Sequence, residues 1–341
     1  MRGEAPEFWW RERSPQALAL APIAALYGVA AARRMMRGAR QSAALPVLCV
    51  GNFTVGGGGK TPTALMLAVA ARALGRQPGF LSRGHGGSVD RTVLVDPERH
   101  GVLEAGDEPL LLAASAPTAV SRDRAAGCRL LLEAGCDIAI MDDGFQSAGL
   151  ETDLALLVVD GRRGLGNGRV LPAGPLRAPL HRQLAHTDIV LVVGPGEAGN
   201  RAEALIAGKG IPVERARLVP RAVDHPGRQL LAFAGIADPG KFFQTLLELG
   251  LPVGETRRFG DHYVLSDAEA SAILNDADAR GLTPATTRKD AVRLDIRRPT
   301  HRTLAERALV VDIDLVPDDP TFGERMVEQA IQAYGRRASK G

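Results

Sequence analysis

From residue 45 onward the apolar residues fall in short unbroken runs, not in alternation. Such runs occupy 45–50 (LPVLCV), 78–82 (PGFLS), 137–141 (DIAIM), 154–160 (LALLVVD) and 189–193 (IVLVV), with a weaker one at 92–96. A short apolar run bounded by turn residues marks a strand buried on both faces, where no solvent side imposes a polar residue at every second position. Between the runs the pattern predicts helices over 62–74, from 108 to 114, and over 122–134. Strands alternating with helices call for right-handed crossovers and a parallel sheet covered on both faces. Around 219–228 the chain turns polar and carries Pro220 and Pro226, which places a boundary near residue 225. A second αβ unit begins at Leu230 (LLAFAGIADP), with a helix over 240–249 and further segments at 283–289, 291–294 and 308–313. The stretch 321–334 reads as a closing helix, free to pack back on the first domain. Three parts follow: 1–40, 41–225 and 226–341.

The first part has a different pattern. Residues 14–32 (SPQALALAPIAALYGVAAA) carry no charge. A helix needs about 20 apolar residues to cross a bilayer core. This stretch has 19, much of it alanine, with Pro22 inside it. Phe8, Trp9 and Trp10 precede it as interfacial aromatics do, and Arg33, Arg34, Arg37 and Arg40 follow it. The expectation is a membrane-associating helix, lying on the bilayer or spanning it, with the catalytic chain on the cytoplasmic side. A cleaved signal peptide fits poorly, because an arginine cluster and no convincing cleavage site follows the apolar run.

Composition then narrows the partners. The net charge is +3, yet residues 1–40 alone hold seven Arg against three Glu, so the remainder is nearly neutral. Aromatics make up 4% of the chain. A local basic anchor fits these facts; a nucleic-acid surface does not, since it needs a basic field or stacking platforms. Cys49, Cys128 and Cys136 form no CxxC pair. They read as small buried hydrophobes in a reducing compartment, with no zinc site.

The candidate chemistry centres on GNFTVGGGGKTPT (51–63). The phosphate-loop pattern GxxxxGK(S/T) follows a strand and opens a helix. Gly59, Lys60 and Thr61 match it, while Thr54 stands where the first glycine belongs. Gly56, Gly57, Gly58 and Gly59 let backbone N–H groups converge on phosphate oxygens, and a helix N-terminus adds a favourable dipole. Lys60 is expected on the β and γ phosphates and the Thr61 hydroxyl on magnesium. Pro62 suits the first helical turn, where its missing N–H is not needed. Thr54, Val55 and Gln146 complete the expected nucleotide contacts.

Asp142 and Asp143 end a buried strand, the position from which a carboxylate holds magnesium directly or through water. A kinase also needs a group to orient or deprotonate its acceptor hydroxyl. Asp107, Glu108, Asp261, His262 and Asp290 are all candidates, and residue chemistry alone does not choose among them. Arg83, Arg122 and Arg177 lie in turn-like contexts suited to neutralising phosphate charge.

Taken in order, GNFTVGGGGKTPT, LSRGHGG (81–87), GDEPLLL (106–112), DDGFQ (142–146), LPAGPLR (171–177), FGDHY (259–263) and TRKDAVRL (287–294) resemble the tetraacyldisaccharide 4′-kinase family across nearly the whole chain. Thr54 in the loop looks like that family's own pattern. The resemblance implies a P-loop NTPase-like αβα sandwich with a parallel sheet, plus a second, smaller αβ domain across a cleft and an N-terminal apolar helix. It implies transfer of the γ-phosphate of ATP to the 4′-hydroxyl of a lipid A disaccharide 1-phosphate, giving lipid IVA at the cytoplasmic face of a bacterial inner membrane. By matched motif positions, Asp107 is the catalytic base, paired with His262. Asp142 and Asp143, with Thr61, serve magnesium; Lys60 keeps its role; Arg177 handles phosphate. A monomer is expected. Two positions depart from the family, Ser147 for a histidine and His85 for a tyrosine, which puts substrate contacts there in doubt. The rivals are a GTPase-type protein, for which the NKxD motif is missing, and a membrane-tethered nucleotide switch, which would need no acceptor.

Overall fold

The structure, a computed structural model, describes residues 5–36, 40–56, 58–84, 86–147, 149–224, 227–236 and 238–339. Arg37, Gly57, His85 and the expected boundary at residue 225 lie outside the described residues.

A turn of 3-10 helix (Glu7–Trp10) leads into α1 (Pro15–Ala19) and α2 (Ala21–Met36). The uncharged stretch is thus split at Leu20, with Pro22 in the first turn of α2, where a missing N–H costs nothing. The 16 residues of α2 rise only about 24 Å. Among the described residues no helix is long and apolar enough to cross a membrane. Trp9, expected at a membrane interface, is instead buried, and its Nε1 donates to the Pro172 carbonyl at 3.0 Å. Arg163 lies 5.0 Å over the Trp10 ring. These aromatics dock the N-terminus on the body of the protein.

The first sheet is built from β1 (Val47–Asn52), α3 (Lys60–Ala73), β2 (Pro78–Ser82), β3 (Val93–Leu94), α4 (Val102–Ala105), α5 (Asp107–Ala113), β4 (Thr118–Val120), α6 (Arg124–Glu133), β5 (Ile138–Asp142), β6 (Leu154–Asp160), α7 (Leu180–Leu184), β7 (Ile189–Val193), α8 (Glu197–Ala207) and β8 (Val213–Pro220). A smaller unit follows: β9 (Leu230–Ala234), α9 (Pro239–Glu248), β10 (Val253–Arg258), α10 (Asp267–Arg280), β11 (Thr283–Thr287), α11 (Arg288–Ala291), α12 (Pro299–Arg307) and β12 (Leu309–Val311). The chain then returns to the first sheet through β13 (Ile313–Pro317) and α13 (Phe322–Ala338).

Nine strands run in the order β13-β8-β7-β6-β1-β5-β2-β4-β3, and four in the order β10-β9-β11-β12. Among the described residues the named strands pair in parallel except β13 with β8 and β3 with β4, at the two edges of the large sheet. At the centre, Val47, Leu48, Cys49 and Val50 of β1 are fully buried. The chain leaves β1 for β2 on one side and later adds β6 on the other. Such a reversal opens a crevice at the carboxyl ends of the central strands. The three thiols are buried as well, and burial pushes Cys49 and Cys128 up to about 12 and Cys136 to about 11.

Where the periodicity misses an element, that element has a wet face. β10 alternates half-buried and exposed positions throughout, and α8, α10 and α12 are partly solvated helices. β8 is nearly an edge strand and reaches Pro220, into the stretch read as polar connection. The segment 308–313 belongs to two sheets: β12 pairs with β11, and after Asp312 β13 pairs with β8. The expected strand at 92–96 shrinks to Val93–Leu94, an antiparallel edge pair. On the opposite side, Phe322, Met326 and Ala330 of α13 share a core with Ala64, Leu67 and Ala68 of α3. Gly323 permits that approach, since a Cβ there would stand 2.8 Å from the Ala70 Cβ.

Candidate active site

The glycine loop leaves β1 and is backed by the 170–177 segment. Val55 N–H donates to the Pro175 carbonyl at 2.8 Å, Arg177 N–H to the Phe53 carbonyl at 2.9 Å, and Thr54 bridges to Leu176. Thr54 sits in this extended pairing and needs no positive φ, which is why a β-branched residue is tolerated in place of the first glycine. Gly56 and Gly59 do need it, at φ 110° and 96°. The helix opens at Lys60, two residues before the expected start, because Gly59 caps it in the left-handed conformation. The Lys60 ammonium, its side chain only 7% exposed, lies 3.8 Å from Asp143 Oδ1 and donates to the Gly56 carbonyl at 3.3 Å.

β5 lies beside β1, with Asp142 in register with Val50. The Thr61 hydroxyl donates to Asp142 Oδ2 at 3.3 Å, whereas Asp142 Oδ1 is buried without a hydrogen-bond partner. Burial, then the charge of Glu108, push the Asp142 carboxyl up to about 7. A buried carboxylate oxygen lacking a donor, beside a hydroxyl, suits a hard divalent cation. Among the described residues no group of three or more His, Cys, Asp or Glu could hold a metal. A cation here therefore depends on oxygens that arrive with a ligand or with water.

Asp143 is turned by a positive φ of 53° and receives the Arg177 guanidinium in two bonds, 2.8 and 3.1 Å. Burial acts to raise its carboxyl, but Lys60 and then Arg177 hold it below the usual range. Arg177 also donates to the Thr54 carbonyl at 3.1 Å and to Gln146 Oε1 at 3.3 Å. Gln146 in turn donates to the Asn52 carbonyl at 2.8 Å and to Gln183 Oε1 at 3.1 Å. Arg177 and Gln146, expected at phosphate and nucleotide, are engaged here in bracing the loop and Asp143.

The second half of the site comes from two separate elements. Asp107 is the first residue of α5 and is buried. His262 sits after β10 in a turn with φ 59°. Its Nδ1 is 2.7 Å from Asp107 Oδ2. His262 and Asp143 are the two non-glycine residues with positive φ among the described residues, and strained backbone of this kind gathers at working sites. Burial acts to raise the Asp107 carboxyl, but the bonds from His262 and Arg293 hold it well below the carboxylate range. The hydrogen bond to Asp107 raises His262 above its ordinary value.

The remaining candidates fall apart by position. Asp261 lies on the outer side of His262, 3.7 Å from Nε2. Asp290 is a structural acceptor, taking bonds from Gly235 N–H at 3.0 Å and the Thr287 hydroxyl at 2.7 Å. Glu108 acts on Asp142 through its charge. Arg83, Arg122 and Ser147 are exposed. Two buried arginines received no role from the sequence: Arg124, three residues after Ser121, and Arg293. Arg293 lies inside the TRKDAVRL string, three positions after Asp290 of the short helix α11. That spacing, which puts side chains on one face, was the available signal.

Comparison with known proteins gives the family and the fold. Residues 16–332 match the sequence profile of the family described as tetraacyldisaccharide-1-P 4′-kinase, LpxK. A relative from Rhizobium rhizogenes named tetraacyldisaccharide 4′-kinase is 50% identical over 338 residues, covering 99% of this chain and 95% of the relative. One of the same name from Rhizobium meliloti is 48% identical, covering 99% of this chain and 98% of the relative. The crystal structure of the "apo" form of LpxK from Aquifex aeolicus in complex with ATP matches with a TM-score of 0.71 at 25% identity, covering 92% of this chain and 99% of that one. A P-loop on a mixed α/β scaffold, a carboxylate pair beside it and an Asp–His pair joining α5 to the turn after β10 thus lie in a chain that belongs to the tetraacyldisaccharide-1-P 4′-kinase family.

Proposed function

We propose that this chain transfers the γ-phosphate of ATP to the 4′-hydroxyl of a tetraacyldisaccharide 1-phosphate, the lipid A precursor, and so makes lipid IVA. The observation that carries the reading is a phosphate half-site beside a proton-handling one: Glu108, next to Asp107 on α5, lies close enough for its charge to act on Asp142. Lys60, Thr61 and Asp142 stand at the end of the central strands, and the Asp107–His262 pair joins α5 to the smaller unit. The loop from Thr54 to Thr61 holds the phosphates through its amides, and Lys60 meets their charge. Thr61 and Asp142 would hold magnesium, with Asp143 alongside; a bound magnesium neutralises and aligns the phosphates. The smaller unit closes over this crevice, and the chain acts as a monomer.

The electrostatics favour a different proton acceptor from the one the motif positions imply. Asp107 spends its charge on His262 and Arg293, which makes it a weak base. His262 Nδ1 faces Asp107, so a proton held there leaves Nε2 as the free acceptor, and the ring is half-exposed. We assign proton acceptance to His262 Nε2 and orientation to Asp107, the logic by which a buried carboxylate fixes an imidazole's tautomer. The direct test supplies γ-labelled ATP and detergent-dispersed disaccharide 1-phosphate. Label is expected in the disaccharide. Release of inorganic phosphate without labelled lipid would favour the nucleotide-switch reading instead.

A lipid acceptor calls for contact with the inner membrane at its cytoplasmic face. The outward face of α1 and α2 supports that contact: Leu18, Ile23, Leu26, Tyr27, Val29 and Met36 are exposed, Leu26 by 75%. Beside it a trough of about 700 Å³ runs between α2 and the 168–182 segment, with Arg33, Arg169 and Arg182 among its lining. An apolar face with basic neighbours is how a surface-lying helix binds anionic lipid. Changing both Ile23 and Leu26 to Glu removes two apolar side chains worth roughly 1.5–3 kcal/mol each. Co-sedimentation with phosphatidylglycerol vesicles is expected to fall at least tenfold with the melting temperature unchanged. Undiminished pelleting would place the anchor elsewhere.

A further inference from the structure

We propose that Arg293 is a positioning residue for proton transfer: its guanidinium pins the carboxylate that orients His262 and takes up part of that carboxylate's negative charge. The proposal rests on the reading of His262 as the proton acceptor. Arg293 follows α11 and its side chain is 2% exposed. Its Nε and Nη2 both donate to Asp107 Oδ2, at 3.1 and 2.7 Å. Its Nη1 donates to Asp290 Oδ1 at 2.8 Å and to the Gly235 carbonyl at 2.7 Å. That same carbonyl accepts the His262 N–H at 3.0 Å. One buried cation therefore holds both supports of the histidine: Asp107, which fixes the ring, and Gly235, which fixes its strained backbone. A guanidinium can do this because its donors lie in a rigid fork.

The charge matters as much as the bonds. The charged groups acting on His262 are Asp107 from α5, Asp261 from its own turn, and Arg293, whose Nη2 stands 3.4 Å from Nδ1. The hydrogen bond and charge of Asp107, then Asp261, favour the imidazolium, and Arg293 opposes it. With Asp107 alone, the bond that orients the ring would push it further toward the imidazolium, which cannot accept a proton. Arg293 lets the carboxylate orient the ring while limiting that effect.

The test is the pH dependence of kcat/KM for phosphoryl transfer by the full chain in detergent, with ATP and the disaccharide 1-phosphate. Arg293→Met removes the charge at similar volume. The acidic limb is expected to move up by roughly one unit, with activity at pH 7 down about tenfold or more and partly recovered at high pH. Arg293→Lys keeps the charge but not the fork, so its limb is expected to stay in place while kcat falls. Should the Met variant be too unstable to assay, Arg293→Gln replaces it, with the same expected shift, and the Lys profile decides by itself if both neutral variants fail: a displaced Lys limb overturns the charge argument. A uniform loss at every pH in Met or Gln, with the limb unmoved, means that Arg293 only holds the fold together. His262→Gln separates the two readings. If the wild-type limb persists in that variant, the base assignment fails. If the limb disappears there yet stays put in Arg293→Met, the Arg293 proposal alone fails.

Discussion

His262→Gln lowers the turnover of phosphoryl transfer by about 10²–10⁴-fold, the range for removing a positioned general base, and leaves the binding of an ATP analogue unchanged. The second half follows from position, because His262 lies after β10 and its bonds run to Asp107 and to the Gly235 carbonyl. Asp107→Asn separates the two possible bases. Asp107 raises the His262 value through a hydrogen bond and a charge, so an amide there weakens both. If His262 is the base, activity is reduced by a misdirected ring, and the acidic limb persists at lower pH. If Asp107 is the base, that limb disappears with its carboxyl. Steady-state rates from pH 5 to 9, with a fluorescent ATP analogue to follow binding, decide between them. Near wild-type turnover in His262→Gln would remove the histidine from the chemistry.

Lys60→Met is expected to lower kcat by about 10²–10³-fold, the effect of deleting one preorganised group aimed at developing charge. The ammonium is nearly buried beside Asp143 and the Gly56 carbonyl, so it waits in place and needs little reorganisation when phosphate arrives. Asp143 keeps its two bonds from Arg177 in the variant, which protects the local fold. Rapid-quench measurement of transfer, with thermal melting as the folding control, tests this. Turnover within a few-fold of wild type would show that the backbone amides alone carry the phosphate charge.

The large sheet was legible because its strands are buried on both faces. Unbroken apolar runs such as 154–160 survive almost unchanged as β6, since no solvent face dilutes the signal. β10, α8 and α10 were not legible, because half-solvated elements carry a weaker pattern that a polar stretch resembles. The 308–313 segment misled for another reason. Two short apolar pieces adjoin in sequence but enter different sheets at Asp312, and sheet membership is a property of long-range pairing. Trp9 and Trp10 were read as membrane aromatics on their neighbourhood alone. Docking against Pro172 and Arg163 needs partners more than 150 positions away.

The sequence by itself determined the phosphate loop, the Asp142–Asp143 pair, the parallel αβ pattern and, through its ordered motifs, the family. Those features are local: each needs a strand end, a glycine-permitted turn or a helix start, and nearby residues supply it. Only the tertiary structure decided which of five candidate acids and bases faces which. It joined Asp107 to His262 across 155 positions and to Arg293 across 186, and turned Asp290 into a support. It also set the Arg177 guanidinium against Asp143 in two bonds. A proton acceptor is defined by the charges around it, and those charges reach it from elements distant in the chain. No spacing rule along the sequence carries that information.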